Sequence, residues 1–147
     1  MAKVDFYLIQ QPEDQDRLFF TCRLVEKVLG QGLKVYIHTR SQAEAQEIDD
    51  LLWSFKPESF IPHAIVGLEG MEDELEDEEI PVLIGYDNNR TESGQLLVNL
   101  TADIPPFCDS FERIAEIVAN REEAKAASRE HWNSYKEKGF ELDHHQL

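Results

Sequence analysis

Residues 4–39 read VDFYLIQQPEDQDRLFFTCRLVEKVLGQGLKVYIHT, and this stretch decides the fold. Val4, Phe6, Tyr7, Leu8 and Ile9 form a nearly continuous apolar run of strand length, the pattern of a strand covered on both faces. Pro12, Glu13 and Asp14 then mark a turn and a helix start, where acidic groups suit the positive end of the helix dipole. Leu18, Cys22, Val25 and Leu29 follow at spacings of four, three and four, which is one helical stripe, and Gly30 ends it. Leu33 to Thr39 returns to β-forming residues. A strand, a helix and a second strand in this order predict a crossover unit and a parallel sheet.

The same rhythm continues outward. Ser41 and Glu44 make a capping box at the head of a helix whose buried side is Ile48, Leu51 and Leu52. Ile80 to Gly85 and Leu96 to Leu100 read as further strands, separated by the turn chemistry of residues 87–94. Pro105 and Pro106 precede a stripe of Phe107, Phe111, Ile114 and Val118, whose spacing predicts a helix. A last helix is expected over residues 121–138, with Gly139 just past its end. The tail, residues 140–147, has no pattern. The expected fold is α/β: a single Rossmann-like domain over residues 1–147, a mostly parallel sheet flanked by helices, without a nucleotide-binding glycine motif. The only glycine pair, Gly30 and Gly32, follows a helix and precedes a strand. A phosphate-cradling loop needs the reverse order, so that backbone N–H groups at a helix start face the anion.

Composition narrows the class. A chain of 147 residues can bury roughly 68–70% of its unfolded surface, so it needs no disulfide or metal to fold. Thirty acidic residues against fourteen basic ones give a net charge of −16. That argues against direct DNA binding, which needs an excess of Lys and Arg, and against an anionic membrane surface. No apolar run approaches the ~20 residues that span a bilayer, and the N-terminus lacks a secretory pattern. A cytoplasmic location is expected, with Cys22 and Cys108 as buried free thiols. The five histidines lack metal-ligand spacing, so neither a metal nor a cofactor is expected. No nucleophile-elbow motif is present. Residues 69–79 hold eight acidic side chains and no basic one, the signature of a solvated surface loop.

Two features stand out. Trp53, Phe60, Ile61 and Pro62 lie in an apolar segment without periodicity, residues 53–67, which is expected to be a structured loop and builds either a local mini-core or an exposed patch of the kind that forms interfaces. Lys125, Arg129, Trp132 and Lys136 share one face of the last helix, and Phe140 follows just past its end. Residues 121–147 carry five basic and six acidic side chains, so this is the least acidic part of the chain. The stripe either holds an anionic peptide, with cations pairing carboxylates beside an aromatic slot, or is a solvated basic face with Trp132 turned inward.

These residues resemble a known family, the chi subunit of bacterial DNA polymerase III holoenzyme. The resemblance covers most of the chain. It is carried by Phe6-Tyr7-Leu8, by Leu52-Trp53 with Pro57-Glu58-Ser59-Phe60-Ile61-Pro62-His63, by Pro81-Val82-Leu83-Ile84 and Leu97-Val98-Asn99-Leu100, and by Arg129-Glu130, Tyr135-Lys136 and Gly139-Phe140. It implies an accessory subunit of the replication machinery without catalysis of its own. It implies two partners: the psi subunit, which leads to the clamp-loader complex, and the acidic C-terminal tail of single-stranded DNA-binding protein. The psi surface then includes Trp53, Phe60, Ile61 and Pro62, a surface some members also offer to a repair helicase. The tail site then includes Lys125, Arg129, Trp132, Lys136, Phe140 and Val118. Trp132 stands where the family more often has Tyr, and Asn133 where a basic residue is known. The competing classes are an adaptor for a DNA-repair helicase and an orphan Rossmann-like enzyme, which a bound nucleotide would mark.

Overall fold

The computed structural model describes residues 3–54, 63–65, 81–86 and 94–146. In chain order the elements are β1 (Lys3–Leu8), α1 (Asp14–Leu29), β2 (Val35–His38), α2 (Gln42–Ser54), β3 (His63–Ile65), β4 (Val82–Gly85), β5 (Gly94–Asn99), a 3₁₀ turn (Cys108–Ser110), β6 (Phe111–Val118), α3 (Glu122–Glu137) and β7 (Glu141–Gln146). The seven strands form one sheet in the order β3-β4-β2-β5-β6-β1-β7, and every neighbouring pair is parallel. The α/β architecture read from the sequence is therefore present, with a sheet that is parallel throughout.

Alternation along the strands divides the interior into two layers. Val35 and Ile37 of β2, Leu96 and Val98 of β5, and Ala115 and Ile117 of β6 face α1 and α2, where they meet Leu18, Cys22, Val25, Ala45, Ile48 and Leu52. Val4 and Phe6 of β1, Tyr36, Leu97 and Ile114 face the other way, toward Tyr135 of α3 and toward Phe107 in the connection before β6. Ser41 caps α2 as its sequence predicts: its Oγ accepts from the Glu44 N–H at 3.2 Å. The Glu44 carboxylate reaches back to the Arg40 N–H at 3.1 Å rather than to the cap residue itself. Both thiols are buried, and burial pushes Cys22 up to about 12 and Cys108, helped by Asp109, to about 11.

Three expectations are overturned. Within residues 53–67, expected as a loop, His63–Ile65 is a strand, β3, paired with β4 and too short to show a period. Phe107 to Val118 is not a helix: Cys108–Ser110 is a short 3₁₀ turn and Phe111–Val118 is a strand between β5 and β1. A strand buried on both faces shows no period of two. Phe111, Ile114, Ala115, Ile117 and Val118 are all in the core, and their spacing imitates a helical stripe. Residues 140–147 are not a patternless tail either, because Glu141–Gln146 adds to the sheet as its edge strand. The strand is polar because its outer edge faces solvent, and it is held by the β1 ladder, by Lys3 against Asp143 at 3.1 Å and by His145 against Asp5 at 3.0 Å. Gly139, with φ of +88°, makes the sharp exit from α3 that brings it there.

Close packing between strands makes one glycine in β4 sensitive. A Cβ at Gly85 falls 2.6 Å from Cζ of Tyr36, whose ring is buried beside Phe107 and Phe111. Because that ring has no room to retreat, Gly85→Ala is expected to cost about 1–3 kcal/mol. Urea denaturation reads this as a lower midpoint at unchanged slope, and an unchanged midpoint would mean that the ring shifts freely.

Candidate functional site

The last helix has two working faces. Its sequence, EEAKAASREHWNSYKE, places His131 and Tyr135 on the side toward the sheet and Lys125, Arg129, Trp132 and Lys136 on the flank. Acidic Glu122 and Glu123 in the first turn and Lys136 in the last suit the helix dipole.

The inner face is anchored by a buried polar network on β6. Glu116 is 5% exposed, and its Oε2 accepts from Asn99 Nδ2 at 2.8 Å and from the Tyr135 hydroxyl at 2.7 Å. Its Oε1 lies 3.0 Å from Nδ1 of His131, whose Nε2 lies 2.7 Å from the Ala102 carbonyl oxygen. A carboxylate and a carbonyl both accept only, so the ring must donate from both nitrogens, and the geometry fits an imidazolium. Burial pulls the His131 pKa down, but the hydrogen bond and charge of Glu116, with the Ala102 carbonyl, outweigh it and leave the pKa raised. Burial, then the charge and hydrogen bond of Glu116, hold the Tyr135 hydroxyl protonated. These bonds fix the rotation of α3 on the sheet, and with it the direction of the flank.

Along that flank lies an apolar groove of about 300 Å³, lined by Phe6, Leu8, Ser128, Arg129, Trp132 and His144. Phe6 and Leu8 of β1 form its floor: both belong to the layer beneath α3, where Phe6, buried, packs on Trp132 and Tyr135. Trp132 packs on Phe6 with ring centroids 5.3 Å apart. His144 of β7 closes the far side, meeting Trp132 edge-on at 6.0 Å. Arg129, on the exposed outside of the helix, sets a permanent positive charge at the rim. The arrangement can take up one apolar or aromatic side chain while pairing a carboxylate next to it.

The expected tail-site residues are distributed as follows. Arg129 and Trp132 meet at the groove. Lys125 and Lys136 share their stripe on α3 without lining the groove. Phe140 packs inward against Tyr135 with centroids 5.5 Å apart. Val118 is the buried last residue of β6 and lines a different cavity, at the strand ends. On the opposite surface, Trp53 in the last turn of α2 is 52% exposed and contacts the ring of His63 at 4.6 Å. Phe60, Ile61 and Pro62, and the acidic run 69–79, lie outside the described residues.

Phe6, Leu8, Ser128 and His144 were not singled out by the sequence. Phe6 and Leu8 read as ordinary core, and only their place beside the flank of α3 makes them a groove floor. His144 lay in the segment that shows no periodicity. Among the described residues, no three His, Cys, Asp or Glu side chains are placed to hold a metal, and no helix is long and apolar enough to cross a membrane.

Comparison with known proteins follows the same lines. Residues 1–143 match the family described as DNA polymerase III chi subunit, HolC. The DNA polymerase III subunit chi of Pseudomonas aeruginosa is 38% identical over 147 residues, covering 100% of this chain and 98% of its own length. That of Haemophilus influenzae is 31% identical over 144 residues, covering 97% and 96%, and that of Escherichia coli is 27% identical over 148, covering 97% of each. Among solved structures, the C-terminal domain of the DEAD-box protein Dbp5 aligns with a TM-score of 0.67 at 13% identity, over 99% of this chain and 91% of that one. T4 UvsW aligns with a TM-score of 0.72 at 8% identity, over 99% of this chain and 41% of that one. At such identities these two share the fold alone.

Proposed function

Because this chain belongs to the family of DNA polymerase III chi subunits, we propose that it is a non-catalytic accessory subunit that tethers the polymerase to coated template in the cytoplasm. In this reading one surface holds the psi subunit, and through it the clamp-loader complex. The other receives the acidic C-terminal tail of single-stranded DNA-binding protein.

The observation that carries the reading is the groove beside α3, where an apolar slot and a guanidinium are neighbours. A tail that ends in an aromatic residue among carboxylates needs this combination. Its ring enters between Phe6, Leu8 and Trp132, and Arg129 pairs the terminal or a neighbouring carboxylate. Lys125 and Lys136 add positive field along the stripe. The long-range repulsion of a −16 chain is largely screened at physiological salt, where the Debye length is about 8 Å. Several tails on each tetramer of the DNA-coating protein would turn weak single contacts into firm attachment. On the other surface, exposed Trp53 supports a psi contact that includes Phe60, Ile61 and Pro62, a surface that a repair helicase could share.

Fluorescence polarisation with a labelled acidic, Phe-terminated peptide tests the tail site. Saturable binding is expected, weakened by added salt, and Arg129→Ala is expected to lower affinity at least tenfold, in line with about 1.5–3 kcal/mol for a hydrogen bond to a charged group. Unchanged affinity in that variant, with an unchanged melting curve, would move the site elsewhere.

A further inference from the structure

The strand side of the groove beside α3 is closed by a histidine whose nitrogens the fold leaves unused. His131 donates to Glu116 and to the Ala102 carbonyl oxygen, and the Nε2 of His145 lies 3.0 Å from Asp5. His144 is the neighbour of His145 on β7, but successive strand residues alternate, so it turns to the other face of the sheet, toward α3. It is exposed, and its ring meets Trp132 edge-on at 6.0 Å. Neither of its ring nitrogens has a hydrogen-bond or ion-pair partner among the described residues.

The other polar groups at the groove are placed differently. Ser128 Oγ donates its only proton to the Lys125 carbonyl oxygen at 2.7 Å, so what remains to it is acceptor capacity, of no help to an anion. Arg129 is exposed and has no carboxylate partner among the described residues. The groove therefore offers donors from two elements, a guanidinium on α3 and an imidazole on β7, with Phe6, Leu8 and Trp132 as the apolar surface between them. No carboxylate lines it among the described residues.

We propose, resting on the reading of this groove as the tail site, that His144 is a second recognition residue. Its ring donates to the side-chain carboxylate of an acidic residue of the bound peptide, while Arg129 pairs the terminal carboxylate. The recognised chemistry is then narrower than an acidic peptide. One apolar side chain fits the slot, whose volume of about 300 Å³ is at the lower end of the roughly 300–1,000 Å³ of organic-ligand sites. Two carboxylates flank that side chain. A peptide that ends in an aromatic residue supplies one at its own terminus and another on an acidic residue shortly before it. The planar guanidinium matches the terminal carboxylate in a two-bonded fork, and one imidazole N–H suits the side chain. His144 thus makes the site read a carboxylate at one position upstream of the aromatic as well as the aromatic itself.

Fluorescence polarisation on the full chain tests this, with a labelled acidic, Phe-terminated peptide and a series in which one Asp at a time is changed to Asn. Because His144 is also part of the groove wall, two variants separate its roles, and at an exposed position both leave the core untouched. His144→Phe keeps an aromatic edge against Trp132 and removes both nitrogens. His144→Gln removes the ring and keeps an N–H donor. His144→Phe is expected to weaken binding of the parent peptide about fivefold, the upper end for an exposed charged pair, and His144→Gln to restore most of it. For one member of the Asn series the loss in His144→Phe should disappear, because the carboxylate it serves is gone. The same loss for every member, or no loss at all, would overturn the role of His144 and leave the tail site standing, as long as Arg129→Ala still weakens binding. No binding to the folded parent chain, or unchanged affinity in Arg129→Ala, would remove the tail site itself and the role of His144 with it.

Discussion

Glu116→Gln is expected to destabilise the domain by about 3–5 kcal/mol, the range for breaking a buried charge pair by changing one partner. For a chain of this length that is roughly 10 °C in melting temperature, at about 2–4 °C per kcal/mol. The amide keeps the shape of the carboxylate but places an N–H₂ where Asn99, His131 and Tyr135 all point donors. At least one donor is then left buried without an acceptor. The same network imposes a pH dependence. The His131 pKa is raised in the folded chain, so the folded state holds a proton that the unfolded state releases near pH 6.5. The His131 contribution is therefore fully present below about pH 6.5 and is lost as pH rises through the higher folded value. Thermal melts from pH 6 to 9 should show this decline in the parent chain and not in Glu116→Gln. A decline of equal size in both would assign it to other groups.

Trp132→Ala is expected to act on stability and on tail binding together. The indole packs on Phe6 and His144 and supplies one wall of the groove. Full burial of such a side chain is worth about 3–5 kcal/mol on truncation, and a half-buried one correspondingly less, about 2 kcal/mol. Loss of the wall should also lower peptide affinity at least tenfold, the effect of removing an aromatic anchor. Trp132→Tyr separates the two roles, since it restores an aromatic wall at smaller volume. Recovery of peptide binding in Trp132→Tyr is the expected result. If Trp132→Ala binds the peptide as well as the parent chain, the groove is not the tail site, whatever its stability.

Local pattern was enough for much of the scaffold. Leu18, Cys22 and Val25 mark α1, Ser41 and Glu44 mark the start of α2, and Gly139 marks the end of α3, because each signal lies within a few residues of the structure it specifies. The stripe of Lys125, Arg129, Trp132 and Lys136 was legible for the same reason, since helix geometry alone puts those positions on one flank. β6 was not legible. Burial on both faces erased its period of two, and the spacing of Phe111, Ile114 and Val118 then mimicked a helix. β7 was hidden for the opposite reason: an edge strand exposed to solvent has little apolar residue to alternate, and its pairing partner, β1, lies at the other end of the chain.

The sequence by itself therefore determined the α/β class, four of the seven strands of the described sheet, the cationic stripe on α3 and, through the resemblance its motifs carry, the family. Tertiary structure decided what the stripe faces. His144 meets Trp132 only because β7 pairs with β1, and the groove floor exists only because β1 places Phe6 and Leu8 in the layer beneath α3. Such sites depend on contacts between residues more than a hundred positions apart. Those contacts are set by the order of strands in the sheet, which no local period encodes.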